Sequence, residues 1–289
     1  MERKKTGFTM VELLAVLGII ALLVGLLLPA LSAVRNIAKE TKQKAQFTAI
    51  ELALTAFKND YGDYPPSAWS SPPNPATDYC GAQKLAEALL GWDLLGFHPK
   101  SDFRSHGRND AGLYIYDANV PALLDQRKGP YLELATTSAF KLIDLFRPYP
   151  TGPLAPDTYV ICDAFGARRV TMLKGIDPVT RRPITVTERA GAPVLYYKAN
   201  TAQKTINTIF DVLDNNALVL VKQQADNREH PLARPDAGPV GQYQFFYDFI
   251  RNPKITARPW PYRNDSYILI SAGPDGLYGT GDDVCNFGG

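Results

Sequence analysis

Carboxylates in two unusual settings are the reactive content of this 289-residue sequence. Near the carboxy terminus, Asp275, Asp282 and Asp283 share the eleven residues 273–283 with four glycines. Calcium takes about 6–8 oxygens from carboxylates and backbone carbonyls, and glycine frees a loop to turn its carbonyls inward. This composition suits a hard cation, although the spacing is not that of an EF-hand; an Asp/Gly turn that binds nothing is the plainer alternative. Near the amino terminus, Glu12 stands at the mouth of an apolar run from Leu13 to Ala30. Membrane segments normally exclude a charge, so a carboxylate there asks for a partner.

Other chemistries find little support. The sequence has no Gly-x-Ser-x-Gly elbow, no His-Glu-x-x-His and no phosphate-binding glycine loop. A membrane-anchored exported enzyme is therefore disfavoured, and the adjacent Asp282-Asp283 pair does not by itself give the spaced carboxylates of a glycosidase. His98 and His106 lie in a polar stretch without an acidic partner pattern and read as solvated loop residues. Cys80, Cys162 and Cys285 show no metal-ligand spacing, and either one disulfide plus a thiol or three reduced thiols is compatible with them. Removing Arg3, Lys4, Lys5 and Glu2 from the 31 basic and 29 acidic residues leaves 28 of each. A neutral body offers no footprint for a phosphate backbone, so no nucleic-acid partner is expected.

The elements around these carboxylates begin with the amino-terminal segment. Phe8 to Ala30 is 23 residues, about 34 Å as a helix at ~1.5 Å per residue, enough to cross a hydrocarbon core of ~30 Å. The Arg3-Lys4-Lys5 cluster should stay cytoplasmic and place the rest on the far side. A cleavable secretory signal, a plain single-pass anchor and a signal cut before the apolar run compete here. Glu12 argues against the first, because a carboxylate opposes insertion of an ordinary signal. Beyond it, Leu31, Val34 and Ala38 form one stripe and Ile50, Leu54 and Phe57 another. The pattern predicts one helix from about Phe8 to about Lys58, ended at Tyr61-Gly62, with its second half packed on the body.

The residues Lys4-Lys5-Thr6-Gly7-Phe8-Thr9-Met10-Val11-Glu12-Leu13-Leu14 resemble the class III signal of type IV pilins and type II secretion pseudopilins. The resemblance implies cleavage by prepilin peptidase between Gly7 and Phe8 and N-methylation of the new Phe8 amine. Glu12 then becomes the fifth mature residue and pairs with the Phe8 ammonium of a neighbouring subunit. A buried carboxylate is costly alone and tolerable beside an opposite charge. Pro29 matches the family's helix-kinking proline, which removes a backbone hydrogen bond.

In the body, Tyr61-Gly62-Asp63-Tyr64-Pro65-Pro66 resembles the Gly-x-Tyr-Pro turn of major pseudopilins, and Ser67 to Pro75 reads as an exposed loop. Residues 82–95 have helical spacing, as does Thr205 to Lys222. Residues 113–117, 131–135 and 159–163 are candidate short strands, and Gln242 to Ile250 is an aromatic segment. Cys162-Asp163-Ala164-Phe165-Gly166 and Pro193-Val194-Leu195-Tyr196-Tyr197 are similar to an Asp-x-aromatic-Gly turn and a Pro-led Tyr strand that run together in major pseudopilins. Here residues 167–192 separate them and read as a hairpin, Arg168–Leu173 and Pro183–Thr187 around a turn at Asp177-Pro178.

Tyr267 to Ser271 is a strand by β-propensity. The segment after it resembles the calcium loop of major pseudopilins. The resemblance implies Asp275 and one or both of Asp282 and Asp283 as side-chain ligands, with Leu269 and Thr280 as carbonyl donors. The expected fold is α+β and type IV pilin-like: a long membrane-spanning helix on a small antiparallel sheet, with extra helices and a hairpin insertion. The expected divisions are a leader at 1–7, a span and filament-core helix at 8–30, its amphipathic continuation at 31–60 and a periplasmic body at 61–289. The expected role is a structural subunit of a type II secretion pseudopilus, with a type IV pilin for adhesion or DNA uptake as the alternative. The partners implied are prepilin peptidase, further copies and other pseudopilins in a filament, the inner-membrane assembly platform and the bacterial inner membrane itself.

Overall fold

The computed structural model describes residues 10–69, 79–133, 137–146, 154–166, 168–176, 183–235 and 243–288. Gly7, Phe8 and the proposed turn at Asp177-Pro178 lie outside the described residues, as do residues 70–75 of the Ser/Pro-rich loop. Helix α1 runs unbroken from Met10 to Tyr61 and passes through Pro29. It closes where expected, with Gly62 at φ 85° donating its N–H to the Lys58 carbonyl at 2.7 Å. After it come α2 (Gly81–Leu90), α3 (Pro121–Leu124), β1 (Ala139–Lys141), α4 (Leu142–Leu145) and β2 (Tyr159–Ile161). The rest is β3 (Arg168–Ile176), β4 (Pro183–Ala190), β5 (Leu195–Lys198), α5 (Ile206–Ile209), α6 (Leu213–Asp226), α7 (Gln244–Phe249), β6 (Tyr267–Ser271) and β7 (Val284–Cys285). The result is a mixed α+β fold, consistent with a type IV pilin-like architecture.

The centre is the antiparallel sheet β5-β6-β7, with Tyr196 opposite Leu269 and Ser271 opposite Val284. Side chains alternate across a strand, so each face of this sheet meets a different layer. Val194, Tyr196, Tyr267, Leu269 and Val284 pack with Phe47, Ile50, Leu54 and Phe57 of α1. Leu195, Tyr197, Ile268 and Ile270 pack on the opposite side with Leu218 and Val221 of α6 and Phe246 of α7. The spacing 47, 50, 54, 57 is one stripe of a 3.6-residue helix. Every residue of α2 is buried. Its Ala82 N–H is held by Asn215 Oδ1 at 2.8 Å, while Asn215 Nδ2 donates to the Tyr196 carbonyl at 2.7 Å.

Several expectations need correction. The helix over 82–95 stops at Leu90, because Gly91 at φ 93° turns the chain away. The helix over 205–222 is two helices, since Phe210 is extended between α5 and α6. No strand forms at 113–117, where Tyr114 makes only an isolated bridge to Arg108, nor at 131–133; residues 134–135 lie outside the described residues. The hairpin is present and longer than expected, with Arg168 opposite Ala190 and Arg169 opposite Arg189. His98 is fully buried, not solvated; its Nδ1 accepts the Lys100 N–H at 3.1 Å. All three cysteines are free thiols, with Cys80 and Cys162 buried.

The Asp163 turn is the joint between these parts. Its carboxylate accepts the Ser271 hydroxyl at 3.0 Å and the N–H groups of Phe165 and Ala192 at 3.1 and 3.2 Å. Helix α1 meets the same turn, with Gln46 Nε2 donating to the Cys162 carbonyl and Gln43 Oε1 accepting the Ala164 N–H. Gly191 permits this approach, since a Cβ there would sit 1.9 Å from Asp163 Oδ1. Forcing an extra carbon into a packed interior costs about 1–3 kcal/mol. Gly191→Ala should therefore lower the denaturation midpoint of the body by that order without changing its m-value, as read by urea unfolding.

Candidate functional site

Two regions hold the residues singled out by sequence. The first is the outer half of α1. Met10–Leu28 has a mean hydropathy of 2.8, is exposed throughout, and is long and apolar enough to cross a membrane. Glu12 lies in the first turn of α1 and is exposed, at the end where the helix dipole favours a carboxylate. Leu31, Val34 and Ile37 stay exposed as well, Lys39 and Glu40 are half-buried, and Gln43 is the first fully buried residue of α1 among those described. The stripe at Leu31, Val34 and Ala38 thus continues the exposed apolar rod, whereas Ile50, Leu54 and Phe57 are core.

The second region is the acidic loop after β6. Asp282 and Asp283 converge on one hydroxyl: Thr280 Oγ1 lies 2.5 Å from Asp282 Oδ1 and 3.2 Å from Asp283 Oδ1. The other oxygen of Asp282 accepts the Asp275 N–H at 3.0 Å, and that of Asp283 accepts the Gly279 N–H at 2.7 Å. The Asp275 carboxylate turns instead to the Leu277 N–H at 2.7 Å. The Leu269 carbonyl accepts the Asn286 N–H at 3.2 Å, on the β7 side of the central strand β6. Thr280 enters through its hydroxyl; its carbonyl accepts the Asp283 N–H at 3.3 Å.

A hydroxyl carries one proton. It can donate to only one of the two carboxylate oxygens beside it, so the other meets it unprotonated unless a proton or a cation intervenes. Burial, with Asp282 adding to it, pushes the Asp283 carboxyl up to about 7. Among the described residues no three carboxylate, imidazole or thiol side chains gather closely enough to hold a metal. Two carboxylates and a hydroxyl nevertheless fit a hard cation in their chemistry, and Asp275 would have to leave Leu277 to join them.

Sequence reasoning missed the support behind the loop. Lys222 Nζ donates to the Gly276 carbonyl at 2.5 Å, and Arg228 Nη2 to the Asp275 carbonyl at 2.8 Å. His230 Nδ1 accepts the Tyr278 N–H at 3.1 Å, which puts the ring proton on Nε2, facing Asp226 Oδ2 at 3.3 Å. Burial and the nearby Lys222 ammonium push this imidazole down to about 4, so it is neutral. The spacing of Asp226 and His230 by four was the available signal; nothing in the sequence linked either to residues fifty positions away.

Residues 3–28 match the prokaryotic N-terminal methylation motif. No curated protein and no solved structure matches the chain. The motif and the apolar helix support a type IV pilin-like class, anchored in a membrane by the amino terminus. A prepilin-type signal implies processing by a prepilin peptidase and assembly into a filament, which indicates a structural filament subunit.

The Asp283 shift fixes a pH dependence. Its carboxyl titrates near 3.8 when solvated and near 7 in the folded loop, so the folded state retains a proton that the unfolded chain releases. The stability contributed by this group is full below about 3.8 and falls as pH rises toward 7. Melting temperatures in chelator should decline from pH 5 to pH 7.5, and Asp283→Asn should flatten the part of that decline due to this residue.

Proposed function

We propose that this chain is a subunit of a type II secretion pseudopilus, inserted once in the bacterial inner membrane with its leader cytoplasmic and its body periplasmic. The carrying observation is one continuous helix whose outer half is bare and apolar while its inner half is core to a folded body. Such a bare rod has two environments that suit it, a bilayer and the helices of sister subunits. Residues 1–7 are the leader, 8–30 the span and filament core, 31–60 the continuation and 61–289 the body. Prepilin peptidase cuts between Gly7 and Phe8, Glu12 meets the methylated Phe8 amine of the next subunit, and Pro29 lets the rod adjust between bilayer and filament. An assembly platform and other pseudopilins complete the partner set.

In this reading calcium occupies the acidic loop on Asp282 and Asp283, with the Thr280 oxygen and a reoriented Asp275 completing the protein donors. The Leu269 carbonyl could share its second lone pair with the ion. Bound calcium would supply positive charge to the paired carboxylates. The Asp/Gly loop is also what favours a secretion pseudopilin over an adhesive or DNA-uptake pilin.

Terminal sequencing and intact mass of the membrane-extracted protein test the processing step. The expected start is N-methyl-Phe8; a start near Leu31 or Ser32 would assign the chain to ordinary secretion. Glu12→Leu should still insert and be cleaved yet fail to appear in sheared filaments, and wild-type filament yield from that variant would refute the pairing. Saturating calcium should raise the melting temperature, with a linkage of about 2.7 kcal/mol at 100-fold excess over Kd. Asp282→Ala should remove the rise. Superimposable melting curves in calcium and in chelator would sink the metal assignment alone.

A further inference from the structure

The hairpin β3–β4 borders a cavity unrelated to the filament helix. A space of about 140 Å³ lies between the hairpin base, the end of α6 and the loop after β6. Its walls include Leu145, Phe146, Phe165, Ala190 and Ala192, all buried. An apolar cavity of roughly 150 Å³ accepts a benzene-sized group, so this one suits a single apolar side chain.

The charges on its lining are unequal in what they have left to offer. The Asp163 carboxylate is engaged by the Ser271 hydroxyl and the Phe165 and Ala192 N–H groups. Lys222 is committed to the Gly276 carbonyl and Asp226. Asp226 also faces His230. Arg168 and Arg228 are different: both line the cavity and both are exposed. Arg228 spends one donor nitrogen on the Asp275 carbonyl and stands 3.8 Å from Asp226, and among the described residues Arg168 has no ion pair. Among the described residues, three cations against two engaged carboxylates leave the lining net positive. Guanidinium groups present several donors in a plane that matches a carboxylate.

We propose that this cavity takes the apolar carboxy-terminal residue of a partner polypeptide, its side chain filling the cavity and its terminal carboxylate held by Arg168 and Arg228. The charge arrangement selects this occupant. A cation would meet a net positive lining, a bare inorganic anion would leave the apolar walls unused, and a neutral side chain would leave the arginines unused. The hairpin supplies both Arg168 and the Ala190 wall, so the insertion that separates the Asp163 turn from β5 builds the site.

The test uses the full chain in detergent micelles and isothermal titration with N-acetyl-phenylalanine, against its neutral analogue N-acetyl-phenylalaninamide. The acid should bind saturably and at least tenfold more tightly than the amide. Arg168→Glu, at an exposed position, should weaken the acid at least tenfold and leave the amide unchanged. Ala192→Leu, which fills the cavity, should weaken both, with near-UV circular dichroism checking that the body is intact. No saturable binding, equal affinities for acid and amide, or an Arg168→Glu variant that binds the acid like the parent would each overturn the proposal. None of these readouts depends on cleavage, filament assembly or calcium.

Discussion

The body hangs together through one buried carboxylate. Asp163 is 2% exposed and sits where the chain leaves β2 for the hairpin and where it returns toward β5. Its oxygens fasten the return strand through Ala192 N–H and the end of β6 through the Ser271 hydroxyl. Burial pushes this acid up to about 6 despite three hydrogen bonds that favour its charge, so desolvation outweighs them. A group held at that disadvantage persists when its partners have no substitute. Ala192 N–H and Ser271 Oγ are both interior, and an apolar replacement at 163 would orphan them.

That joint explains how α1 can serve two masters along one axis. Gln43 and Gln46 make polar contacts to the Cys162–Ala164 backbone one turn before Phe47 and Ile50 enter the apolar layer. Met10–Leu28 and residues 34–38 are exposed, whereas beyond Gln43 the helix is one wall of the core. The sheet is covered on both faces, by α1 and α2 on one side and by α6 and α7 on the other. It therefore does not rely on α1 alone for burial. A helix that covers only one of two layers can carry an unpacked membrane half, because the second layer secures the sheet independently.

What the sequence revealed follows from the range of each interaction. The α1 stripe at Ile50, Leu54 and Phe57, its end at Gly62, the hairpin at 168–190 and strand β6 all rest on local periodicity and turn chemistry, and these were legible. The end of α2 and the break at Phe210 were not: apolar periodicity ran on past Gly91, whose φ of 93° ends α2, and past Phe210, which is extended and fully buried. His98 looked like a loop residue because its neighbours are polar, yet the structure buries it. In the acidic loop, residue types were legible and orientations were not. Only the fold turns Asp275 to Leu277 N–H while bringing Asp282 and Asp283 onto Thr280.

The same loop shows why a proton and a cation would compete there. Lys222 and Arg228 hold the Gly276 and Asp275 carbonyls from the α6 side, and Tyr278 is fixed through His230 Nδ1. The backbone frame is thus braced from behind by side chains of another element. What the bracing does not resolve lies in front, where one hydroxyl proton faces two carboxylate oxygens. With Asp283 raised to about 7, a proton resolves the conflict on the acid side of neutrality. Above it Asp283 carries its charge beside Asp282, and a bound cation would offset the repulsion between them. A metal in this loop would therefore act less as a scaffold than as a counter-charge, with affinity that strengthens as pH rises through 7 and a proton released on binding.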